Sequence, residues 1–122
     1  MQPDDRDAGY LWDMLDHARV AVDLTRGISF HQYCQDRVRQ LALARAVEVI
    51  GEAARRMSEP FREAHPEIPW RKIIGQRNVL AHEYDEILHE VLWKAATTDV
   101  PELAAIIEKL LPPLPYSGED PH

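Results

Sequence analysis

Between Leu41 and Ala54, apolar residues cover most of the circumference of any helix drawn through them: Leu41, Ala42, Leu43, Ala44, Ala46, Val47, Val49, Ile50, Ala53 and Ala54. A surface helix needs only one apolar stripe, so a helix of this kind must be buried on more than one side. In a chain of 122 residues, the second side is either a central position in a bundle or contact with a second copy. The pattern predicts a helix over about Phe30–Met57 and, at its second side, a homodimer.

The flanking sequence is helical as well. From about Asp5 to Arg26, Leu11, Leu15, Ala18 and Val22 recur at helical spacing, widened by Trp12 and Met14. Gly27 ends that helix, and Ser29-Phe30-His31-Gln32 has the form of a capping box. Pro60, Pro66 and Pro69 make Glu59–Pro69 a loop with room for one short turn. Pro69 then serves as a first helical residue before Trp70, Ile73 and Ile74. A fourth helix carries Ile87, Leu88, Val91, Leu92 and Ala95; a fifth opens near Thr98-Asp99 with Pro101 in its first turn. No segment reads as a strand. The expectation is an all-α bundle of about five helices, one domain over residues 1–111, with a Pro-rich, disordered tail at 112–122.

Several classes of protein are disfavoured. No apolar run approaches the roughly 20 residues that span a bilayer, and the acidic start Met1-Gln2-Pro3-Asp4-Asp5 is unlike a secretory signal. Cys34 is the lone cysteine, which suits a reducing cytoplasm and leaves no disulfide or zinc pattern. The net charge is -7, yet its distribution is uneven. Residues 31–82 carry Arg37, Arg39, Arg45, Arg55, Arg56, Arg62, Arg71, Lys72 and Arg77 against 6 acidic residues. Arginine is the side chain that grips phosphate bidentately, although solvated helix faces give the same pattern.

The chemistry concentrates in Arg77-Asn78-Val79-Leu80-Ala81-His82-Glu83-Tyr84. On an ideal helix Asn78 and His82 share a face while Arg77 lies to one side. Two copies meeting across an interface could bring the Arg77 and His82 of each chain into one cleft. RNA carries its own nucleophile, the 2′-hydroxyl. A histidine near neutral pKa can deprotonate it or protonate the leaving oxygen. Arg77 can stabilise charge on the non-bridging phosphate oxygens, and Asn78 can orient the imidazole or bind phosphate. Such cleavage requires no metal or other cofactor.

Arg77-x4-His82-x-Tyr84 resembles the signature of the HEPN superfamily, and of its HepT-type toxins in particular. The resemblance extends to Tyr10-Leu11-Trp12-Asp13-Met14, Asp36, Ile50-Gly51-Glu52-Ala53-Ala54, Ile68-Pro69-Trp70-Arg71-Lys72-Ile73-Ile74-Gly75 and Asp99-Val100-Pro101-Glu102-Leu103, over roughly residues 5–111. It implies a helical bundle with an up-and-down core, a homodimer with its cleft at the interface, and a toxic ribonuclease. It also implies an antitoxin partner, a minimal nucleotidyltransferase of the MNT type, that transfers AMP to Tyr84.

Other readings remain open. Arg77 could pair with Glu83 or Asp85, and Tyr84 could be a packing residue. Glu48 and Glu52 read most simply as intrahelical ion pairs with nearby arginines; Glu52 could instead support the cleft. His17, His31, His65, His89 and His122 read as structural. A di-metal carboxylate bundle needs two Glu-x-x-His pairs, and only Glu86/His89 fits. The main alternative is a non-catalytic, nucleotide-binding or accessory subunit of a nucleotidyltransferase complex.

Overall fold

A computed structural model describes residues 3–80 and 86–111, with side-chain detail at 3–75 and 89–111. Seven α-helices are present among these residues: α1 (Asp5–Thr25), α2 (Phe30–Cys34), α3 (Arg37–Arg56), α4 (Glu59–Ala64), α5 (Trp70–Leu80), α6 (Glu86–Lys94) and α7 (Val100–Leu110). A π-helical turn, Ala95–Asp99, joins α6 to α7. The architecture is all-α, and no strand occurs among the described residues. The Pro-rich tail, residues 112–122, lies outside them.

Local signals explain most helix ends. The Asp4 side chain accepts from the Asp7 N–H at 2.8 Å and starts α1. Gly27, at φ 77, follows it in the left-handed region. The Ser29–Gln32 capping box is complete: Gln32 N–H donates to Ser29 Oγ at 3.1 Å, and Ser29 N–H donates to Gln32 Oε1 at 2.8 Å.

The predicted single helix over Phe30–Met57 is broken into two. The chain turns at Gln35, and Asp36 becomes the N-cap of α3, accepting from the Arg39 N–H at 3.1 Å. The break lets Phe30 and Tyr33 pack on Trp93, at ring-centroid distances of 5.8 and 5.4 Å. Gln40 Nε2 secures the turn by donating to the Tyr33 carbonyl at 2.9 Å. Downstream, the fifth helix opens near Thr98-Asp99 with Pro101 in its first turn, as the sequence predicts, and a π turn in which Val100 N–H donates to the Ala95 carbonyl joins it to the fourth. Pro101 explains the widening, because its ring would clash with the carbonyl four residues back and it has no N–H to donate.

α3 is the central helix. It packs most extensively on α1 and next on α5, and also touches α2 and α6. Its inward residues Leu43, Ala46, Val47, Ile50, Ala53 and Ala54 are buried within this one chain. The second apolar side is thus filled largely by the chain's own α1 and α5. Only Val38 and Leu41 stand out as large exposed apolar side chains on α3, at 77% and 57% exposure. α1 and α3 run antiparallel: Asp7 meets Ser58 at one end, and Arg39 reaches the Leu24 carbonyl at the other. The 2%-exposed Asp7 carboxylate accepts from both Ser58 N–H, at 2.9 Å, and Ser58 Oγ–H, at 2.6 Å. That satisfies a buried charge with two charge-assisted hydrogen bonds.

Candidate active site

α5 carries the motif's first two residues, so what fixes α5 fixes the site. Pro69 precedes it, and the Ile73 N–H donates to the Pro69 carbonyl at 3.1 Å. Trp70 Nε1 donates to the His65 carbonyl at 3.0 Å, tying the start of the helix to the end of α4. Ile73, 6% exposed, inserts into the core. On the far side Lys72 Nζ lies 3.0 Å from Asp99 in the π turn. Three kinds of contact therefore hold the N-terminal half of α5 while its other end runs out to the motif.

Arg77 and Asn78 fall in the last described turns of α5, which continues to Leu80. Their backbone is helical, as the sequence predicts. His82 and Tyr84 lie outside the described residues, between α5 and α6, and so does any register between them and Asn78.

His65 is 8% exposed, packs tilted against Phe61 with ring centroids 4.3 Å apart and sits 2.9 Å from the Glu67 carboxylate through Nδ1. The His65 contact, with Glu67's own backbone N–H, holds the Glu67 carboxyl below the usual range. This agrees with the structural reading of His65. His89 packs edge-on to Tyr33 at 5.9 Å, with Nδ1 buried and without a hydrogen-bond partner among the described residues. Tyr33 is completely buried, and burial, aided by Cys34, pushes its phenol up to about 12.

Glu48 and Glu52 behave as the helical spacing predicts. Arg45 pairs with Glu48 at 2.7 Å, and Glu52 holds Arg55 at 2.8 Å and Arg56 at 3.1 Å. These pairs rim an open groove of about 490 Å³ whose described lining residues come from α1 and α3. Among the described residues, no group of three His, Cys, Asp or Glu could hold a metal ion, and no helix is long and apolar enough to cross a membrane.

A second groove, about 1150 Å³, opens between α4 and α5. Its lining includes Arg62 and Arg71, which the sequence places in the basic middle of the chain without assigning a role. Spacing alone cannot find this pair, because they come together only when α4 turns back on α5 at Pro66–Pro69.

The chain matches the family model described as ribonuclease HepT-like over residues 14–110. Over 101 residues it is 39% identical to a protein of Thermococcus cleftensis named "Probable ribonuclease HepT", covering 83% of this chain and 92% of that one. It is 35% identical over 99 residues to "Putative RNase MJ1380" of Methanocaldococcus jannaschii, covering 81% and 91%. No solved structure matches the chain significantly.

Proposed function

The chain belongs to the HepT-like family of ribonucleases, and on that premise we propose that it is the toxin of a toxin–antitoxin pair, an endoribonuclease acting through the RNA 2′-hydroxyl. The observation that carries the reading is that Arg77 and Asn78, the first residues of Arg77-x4-His82-x-Tyr84 in the sequence, lie on α5, whose N-terminal half is anchored in the core.

In the proposed reaction the 2′-oxygen attacks the adjacent phosphorus, and the bond from phosphorus to the 5′-oxygen breaks. The products are a 2′,3′-cyclic phosphate and a free 5′-hydroxyl. One proton leaves the 2′-oxygen and another reaches the departing 5′-oxygen. His82 serves one of these transfers, and the His82 of a second copy across a homodimer cleft can serve the other. Arg77 stabilises the charge on the non-bridging oxygens, and Asn78 orients the imidazole or binds phosphate.

Control falls to Tyr84. Its phenol oxygen attacks the α-phosphate of ATP on an MNT-type nucleotidyltransferase, and pyrophosphate leaves. The attached AMP sets a negative charge two residues from His82, where it excludes RNA phosphate by repulsion and bulk.

Growth and cleavage assays test the reading together. The chain expressed alone should arrest growth, and co-expression of the nucleotidyltransferase should relieve the arrest. Replacing His82 or Arg77 with alanine should lower RNA cleavage by ~10²-fold or more, and cleavage should persist in excess EDTA. Intact mass should rise by multiples of AMP in wild type and stay constant in Tyr84→Phe. Full toxicity from a soluble His82→Ala protein would sink the catalytic assignment. AMP transfer to a chain that neither arrests growth nor cuts RNA would make it an accessory subunit instead.

A further inference from the structure

The groove between α4 and α5 has features that the motif does not use. Arg62 enters it from α4 and Arg71 from the first turn of α5. Neither guanidinium has an ion-pair partner among the described residues, whereas the neighbouring Lys72 is committed to Asp99 at 3.0 Å. The Arg62 Nε is buried and has no hydrogen-bond acceptor. Arg62 and Arg71 line the groove, and a guanidinium fork is the side-chain donor that best suits phosphate oxygens. The groove is open beside Gly75 as well: among the described residues nothing lies within 4 Å of where a Cβ would stand on it.

The groove also leads somewhere. Arg71, Gly75 and Asn78 fall at i, i+4 and i+7, one stripe of the α5 backbone. At about 1.5 Å per residue, Arg71 stands roughly 10 Å before Asn78 along the helix. Glu59 and Glu63, on α4 either side of Arg62 in sequence, also line the groove. Their charges repel phosphate, so a polyanion is held at the two guanidinium groups rather than along the whole groove.

We propose that the α4–α5 groove, through Arg62 and Arg71, is an RNA-backbone track that holds phosphates of the strand away from the scissile bond. It rests on the ribonuclease reading above, to which it adds a substrate-positioning site. Its preference is for single-stranded RNA longer than the dinucleotide being cut, read through backbone charge rather than base identity.

Binding measured on full-length His82→Ala protein, which leaves RNA intact, tests the track. The probe is a fluorescein-labelled, mixed-sequence single-stranded oligoribonucleotide, followed by anisotropy across a salt series. Arg71 is exposed, so Arg71→Gln should fold normally. It should weaken binding about five-fold and flatten the slope of log K against log salt by about 0.7, the loss of one phosphate contact. Lys109→Gln removes the same charge from α7 and should stay within about two-fold of the parent. Glu63→Gln should move the other way and tighten binding.

Arg71→Gln binding no more weakly than Lys109→Gln would overturn the track, even if the wild type cuts RNA. Loss of binding in Arg71→Gln alongside a wild type that cuts nothing would keep the track and remove the nuclease reading. Unchanged RNA binding together with lost modification by the nucleotidyltransferase would assign the groove to that protein, and so also overturn the RNA assignment.

Discussion

Tyr33 shows how much one side chain can report. Its ring is fully buried among Phe30, His89 and Trp93, yet its hydroxyl has no hydrogen-bond partner among the described residues. Burial favours the neutral phenol, so its pKa is pushed up to about 12 from the ordinary 10.0. Between those two values the unfolded chain releases a proton that the folded chain keeps. The contribution is therefore intact below pH 10 and is lost as pH rises toward 12. Full loss amounts to about 2–3 kcal/mol. Tyr33→Phe should be neutral or slightly stabilising at pH 7, because it removes an unsatisfied polar group. Denaturant titrations should show the wild type losing stability relative to the variant from pH 10 upward. Parallel stability curves for the two proteins would show that the hydroxyl is not held neutral by the fold.

Among the elements, those whose signals lie within one turn were legible in sequence. α1, its stop at Gly27 and the Ser29–Gln32 box all depend on contacts no more than four residues apart. The split at Asp36 was not legible, because the turn is decided by where Phe30 and Tyr33 find Trp93, some sixty residues along the chain. Asp36 itself was the available sign, an N-cap residue placed before the apolar run. The joining of α6 to α7 was missed for the opposite reason: a proline normally ends a helix, and here a wide turn absorbs it. Of the candidate site, the helical setting of Arg77 and Asn78 was readable, whereas the groove of Arg62 and Arg71 exists only in three dimensions. The Asp36 cap makes a prediction of its own. Asp36→Ala removes the acceptor for the Arg39 N–H and the 3.0 Å contact to its guanidinium. It should cost about 1 kcal/mol and lower Tm by about 4 °C, while Asp36→Asn should retain most of the cap. An unchanged Tm in Asp36→Ala would mean that α3 is held in place by packing alone.

At the scale of the whole molecule, the central position of α3 changes how a homodimer should be tested. Ala46, an attractive position for a charge when only sequence is considered, is 1% exposed and faces the chain's own core. Ala46→Glu would unfold the bundle rather than separate two copies. Leu41 is exposed, so Leu41→Glu leaves the core intact. If two copies meet over α3, it should give a folded monomer by light scattering and lose cleavage with it. A wild type that is monomeric at micromolar concentration would remove the shared cleft. The Asp7–Ser58 bond carries a kinetic consequence for the same bundle. The partners are 51 residues apart in sequence, and closing such a loop costs about 3 kcal/mol of chain entropy beyond a constant. A contact that costly is expected to close after α1 has found α3. Its hydrogen bonds are then absent from the transition state, so they act by slowing the escape from the native state and leave the rate of reaching it unchanged.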